Sequence, residues 1–141
     1  MQKMNTEDRD SMLLEMIKPN ERYLAKVWSV IMSVGGSRES AFNNAYNYLG
    51  ITEQAMNIVI INTFNIKSIE SKVSIPINKI IKVQVKKSFI PSRRVIIIHT
   101  KDLKMKISVM LNSIGCDIID QKENAECLIE KLMEIQEKEN I

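Results

Sequence analysis

A chain of 141 residues with 45% hydrophobic and 26% charged residues is sized and composed for one globular domain, large enough to hold together without a metal or disulfide. Its two cysteines, Cys116 and Cys127, lack CxxC spacing and the density of a secreted scaffold, so both read as reduced, partly buried thiols. The formal net charge is only +3, yet Lys79 to Lys106 holds nine basic residues against Asp102, a net +8, and Asp117 onward holds three against eight acids, a net −5. Such a split describes surfaces and partners rather than fold.

The opening MQKMNTEDRD is polar, without the apolar core of a signal peptide, and no apolar run approaches the ~20 residues of a membrane span. A cytoplasmic protein is expected. Thr6-Glu7-Asp8-Arg9 supplies a hydroxyl cap and first-turn acids suited to a helix start. Met12, Leu13, Leu14, Met16 and Ile17 give that helix an apolar side, and Lys18-Pro19-Asn20 stops it, since proline lacks an amide hydrogen and pushes its predecessor out of helical geometry. The organisation predicted is an N-terminal helix or appendage over 1–20 and a domain over 21–141.

From Glu21 the composition turns to strand. ERYLAKVWSVIMSV carries Tyr, Val, Trp and Ile at close spacing and ends at a turn, Val34-Gly35-Gly36-Ser37. AFNNAYNYLGIT and AMNIVIIN follow, joined tightly by Thr52-Glu53-Gln54, then FNIKSIESKVSIP, SIPINKIIKVQVKK, RRVIIIHT and LKMKISVM. Short strands punctuated at such intervals predict an antiparallel sandwich or barrel. In the stretch from Ser74 to Lys87, Ile75, Ile77, Ile81, Val83 and Val85 share one parity, and Lys82, Gln84 and Lys86 take the other. Leu103, Met105, Ile107 and Val109 likewise alternate with Lys104, Lys106 and Ser108, so each strand has a buried and a wet face. The unbroken run Val95 to Ile98 predicts a strand covered on both sides. Beyond Asn112-Ser113-Ile114-Gly115 the period becomes helical: Asp120 as cap, Glu123 in a capping box, and Ala125, Leu128, Leu132 and Ile135 on one face predict a helix from about Asp120 to Lys138.

A leading helix, seven strands and a closing helix resemble the element order of the pleckstrin-homology-like (PH-like) barrel. YLGITEQAMNIVIIN looks like the segment of bacterial PH-like and GRAM-like members in which a Thr precedes an apolar strand. IPINKIIKVQVKK is similar to their apolar-Pro-apolar segment running into an alternating basic strand. The likeness spans Glu21 to Glu137. It implies a mainly β (α+β) fold, a seven-stranded antiparallel barrel or sandwich closed by the C-terminal helix, in a family of non-catalytic adaptor, membrane-proximal or self-assembling modules. It also implies a lipid site between the first two strands. There this chain departs from the pattern, offering only Lys26 and Arg38 around SVGGS, too few cations for a polyanionic headgroup.

His99, the one histidine, ends an apolar strand without a nucleophile or orienting partner in its motif, and reads as structural rather than catalytic. No metal-ligand spacing, phosphate loop or nucleophile elbow occurs, so neither an enzyme nor a cofactor nor a metal is expected. The candidate site is a basic face of Lys82, Lys86, Lys104 and Lys106, with Arg93 and Arg94 at the turn Phe89-Ile90-Pro91-Ser92-Arg93-Arg94. Three readings compete with a merely solvated sheet face. Nucleic acid is disfavoured, because only Phe89 interleaves aromatic surface with the cations. Anionic membrane lipid suits the apolar turn beside its arginines. A protein partner, or a second copy presenting the acidic helix with help from the Met-rich N-terminal helix, suits the charge split and is the reading preferred.

Overall fold

The computed structural model describes residues 11–36, 45–61, 69–87, 90–101, 103–111 and 120–139. One helical turn, α1 (residues 11–14), precedes seven strands and a last helix. The strands are β1 (Ala25–Gly36), β2 (Ala45–Ile51), β3 (Ala55–Ile61), β4 (Ile69–Pro76), β5 (Ile80–Lys87), β6 (Arg93–Thr100) and β7 (Leu103–Met110), and α2 is Gln121–Glu139. All seven form a single antiparallel sheet in the order β4-β3-β2-β1-β7-β6-β5. The fold is therefore mainly β, with the look of a sandwich.

Parity explains the burial. Val27, Leu49, Ile58, Ile75, Val83, Ile98, Ile107 and their neighbours send inward side chains from all seven strands into one core, joined by Ala125, Leu128, Leu132 and Ile135 of α2. The helical stripe expected from the spacing of those four residues is thus the buried face, and α2 lies against β1, β5 and β7. Leu103 to Ile107 alternate as expected, whereas Ser108, expected on the wet face, is buried; Val95 to Ile98 are buried without a break. The Thr52-Glu53-Gln54 connection is a side-chain-braced turn: Thr52 Oγ1 accepts from the amides of Gln54 and Ala55, both at 3.0 Å.

Among the described residues the ladders run in one open order, with β4 and β5 at its two ends. Three expectations change. Strand β1 does not end before Gly35-Gly36; a bulge between Ile31 and Ser33 bends it, and Gly35 and Gly36 still pair with Lys104 and Leu103. The stretch Ser74 to Lys87 is two strands, broken by a 3₁₀ turn at Ile77–Lys79. With the irregularity between Ile80 and Lys82, the break shifts the parity, so Ile80 is buried and Ile81 is 54% exposed. Finally, Asp120 is left-handed (φ 61°), not extended as a side-chain cap would be, and its carbonyl accepts from the Asn124 amide at 3.0 Å.

The outer face of β2 and β3 is covered by the leading segment. Leu13 is fully buried with Tyr48, Val59 and Ile61, and Met12, Met16, Tyr23 and Trp28 surround them. The Tyr23 ring lies on Gly50, where a Cβ would stand 2.5 Å from its Cδ1. Its hydroxyl donates to the Leu13 carbonyl (2.6 Å) and accepts from Asn57 Nδ2 (3.0 Å), and burial raises its pKa above the usual value. Residues 6–10 of the expected helix lie outside the described residues.

Candidate interaction face

Cross-strand register places the predicted cations on one surface. Lys104, His99 and Lys82 stand side by side across β7, β6 and β5. The next row of that face is Lys106, Ile97 and Gln84, and the one after it is Tyr46, Val30, Ser108, Val95 and Lys86 across five strands. Ile97 and Val95 are buried although they point away from the core. Lysine stems beside them account for this, since they cover apolar surface while holding the ammonium group in water. The two lysines that flank His99 are about 10 Å apart, two strand spacings. Burial and those neighbouring charges, Lys104 then Lys82, hold the imidazole pKa below 6.5, and its Nε2 has no hydrogen-bond partner among the described residues.

Arg93 and Arg94 do not join this lysine field as free cations. Arg94 takes the opposite parity, opposite Lys87 and Val109, and its Nη1 donates to the Pro91 and Arg93 carbonyls at 2.8 and 3.0 Å. Arg93 folds back into an outer-face pocket of about 310 Å³ walled by Trp28, Val30, Met32, Ile90 and Met110. There Nη2 meets Met32 Sδ at 3.2 Å, and Nε is buried without a partner among the described residues. Trp28 stacks on Tyr46, with centroids 5.8 Å apart and planes 13° from parallel. An aromatic and apolar end therefore adjoins the basic end, which sequence reasoning missed because β1, β2 and β6 are far apart along the chain.

Helix α2 lies on the other side of the same strands and shows Glu123, Glu126, Glu130 and Glu134 to solvent. Its buried side is held by polar side chains as well as apolar ones. Gln121, 2% exposed, accepts from the Trp28 amide (3.2 Å) and donates to the Trp28 and Met110 carbonyls (3.1 and 3.0 Å). Asn124 accepts from the Lys26 amide at 3.1 Å, and the free thiol of Cys127 donates weakly to the Leu24 carbonyl at 3.5 Å. Side chains at i, i+3 and i+6 of the helix thus follow Trp28, Lys26 and Leu24 and continue the ladder where β7 has ended. At the far end Gln136 accepts from the Val83 amide at 2.6 Å. Lys131 pairs with Glu53 at 3.0 Å and with Glu134 at 3.7 Å, and the hydrogen bond to Glu53 raises its pKa. A legible signal for this device was Gln121 and Asn124 falling on the apolar stripe.

Among the described residues, none of Lys82, Lys86, Lys104 and Lys106 has an acidic partner within ion-pair distance. No group of three His, Cys, Asp or Glu is placed to hold a metal among the described residues, and no helix there is long and apolar enough to cross a membrane. Arg38, Phe89 and Cys116 lie outside the described residues.

No family model matches the sequence, and no curated protein does. Among solved structures the chain is similar to the hSac2 domain from human phosphoinositide phosphatase Sac2. The TM-score is 0.55 at 10% identity, over 96% of this chain and 85% of that one. The likeness is one of fold.

Proposed function

We propose that this chain is a non-catalytic protein-interaction and self-assembly module of the PH-like, GRAM-like kind, cytoplasmic and bacterial, whose basic sheet face receives the acidic face of α2 from another copy. The open seven-stranded sheet with a C-terminal helix across its inner side supports the PH-like reading of the fold. One observation carries the functional reading: four lysines gathered on the outer face without acidic partners among the described residues, and four exposed glutamates on the helix behind it. Because the two sets lie on opposite sides of β5–β7, they satisfy each other between molecules, head to tail. His99, flanked by lysines with no nucleophile assigned to it, favours a structural role over catalysis.

Light scattering on size-exclusion fractions tests the proposal across salt. Association is expected at low ionic strength and is expected to weaken toward 1 M salt, where the screening length is about 3 Å. A monomer at every salt and protein concentration removes it. The second reading, peripheral binding to anionic lipid, draws on the Ile90-Pro91 turn and the Trp28–Tyr46 stack beside the same lysines. Sedimentation with vesicles separates the two: lipid binding tracks the anionic fraction, and self-association does not. The similar human domain comes from a phosphoinositide phosphatase, but the sparse Lys26 and Arg38 pair lends no support to a headgroup site here.

A further inference from the structure

We infer that the outer-face pocket around Arg93 is the socket for Met133 of a second copy, with Glu130 of that copy on the Arg93 guanidinium. This rests on the self-association reading above and names its anchor. The socket is apolar and sulfur-rich, with Trp28, Met32 and Met110 on its walls, yet it holds a guanidinium whose Nε is buried without an acceptor among the described residues. Its other close contact, from Nη2 to the Met32 thioether, is to a weak acceptor. Such a site calls for an apolar side chain with a carboxylate beside it.

Helix α2 offers that combination on its exposed side. Met133 is 38% exposed, a large apolar residue amid Glu126, Glu130 and Glu134. Glu130 is one turn away on the same face. A methionine is unbranched and adapts to an irregular slot, and its sulfur contacts an aromatic wall favourably. A carboxylate takes two parallel hydrogen bonds from a guanidinium. Spacing agrees as well. Successive rows on the sheet face, from Arg93 through Lys86 to Lys106 and then Lys104 with Lys82, are about 6.7 Å apart, two strand residues. Glutamates four apart on the helix rise about 6 Å. With Glu130 at Arg93, a helix laid along the strands therefore sets Glu126 beside the Lys86 row while Met133 enters the socket. Socket and anchor are different surfaces, so the contact is heterologous and propagates.

The test uses the full chain in sedimentation velocity at low salt, with emission of Trp28, the chain's one tryptophan, as a second readout. Met133→Ser and Arg93→Glu each leave the far-UV spectrum unchanged and weaken self-association at least tenfold. Mixing them restores one contact, between the intact socket of the first and the intact Met133 of the second, giving a 1:1 heterodimer that goes no further. Arg93→Glu combined with Glu130→Arg recovers assembly. If the wild type assembles and both single variants assemble equally well, the socket assignment is wrong while the lysine-face reading stands; Lys82→Glu with Lys104→Glu then abolishes assembly. A wild type that stays monomeric overturns both, as does a Trp28 shift seen with anionic vesicles and never with concentration.

Discussion

Replacing Gln121 by alanine is the sharpest probe of how α2 is held. The side-chain amide is almost wholly buried and makes three hydrogen bonds to the backbone at Trp28 and Met110. At about 0.5–1.5 kcal/mol net for each, with buried groups losing their partner, the gross loss is about 1.5–4.5 kcal/mol. Freeing a glutamine side chain and gaining a better helix former return about 1–2 kcal/mol. A loss of about 2 kcal/mol is expected. In urea, with a slope of about 2 kcal/mol/M, the midpoint falls by about 1 M, followed by Trp28 fluorescence and helical circular dichroism. Gln121→Met keeps the volume and removes the amide, so it should lose nearly as much, whereas exposed Lys122→Ala stays within about 0.5 kcal/mol. If Gln121→Met is as stable as the wild type, the helix is held by packing alone and the ladder-continuation argument fails.

Gly50→Ala drives a Cβ into the Tyr23 ring and so pulls the hydroxyl from Leu13 and Asn57, with an expected cost of about 1–3 kcal/mol by thermal or urea unfolding. In a Tyr23→Ala background the same change should cost little, and equal costs in the two backgrounds would mean that the steric account is wrong. His99 has a folded-state pKa below its unfolded 6.5, so between those two values the unfolded chain binds more protons and stability rises with pH. The contribution is complete above 6.5 and is lost as pH falls through 6.5 toward the folded value. His99→Gln should flatten that part of the stability–pH profile, and an unchanged slope counts against it.

Much of this was written in periodicity. The alternation from Leu103 to Ile107 and the stripe from Ala125 to Ile135 need only local spacing to be read, and the lysine face follows from the first of these. Ile81 was misplaced because the 3₁₀ turn brings Ile80 inward and one irregular residue at Ile81 then restores the expected parity from Lys82 onward, and Ile80-Ile81 offers apolar residues to either register. Closure of the sheet was not legible, since it depends on whether β4 and β5 meet in space. Nor was the Arg93 socket, whose walls come from β1, β7 and the turn before β6. Gln121 and Asn124 were visible on the apolar stripe, but amides there read as interruptions until the bare edge of β1 is seen beside them.

The stitching of α2 to β1 sets a timetable for biosynthesis. Gln121 and Asn124 follow their backbone partners by 93 and 98 residues. At about 5–20 residues per second of translation, the edge at Lys26 and Trp28 waits roughly 5–20 s for its cover. Throughout that interval the nascent chain carries an unsealed strand margin beside Trp28, a template for mispairing. The interval closes when α2 reaches β1 and its side chains take up those backbone groups.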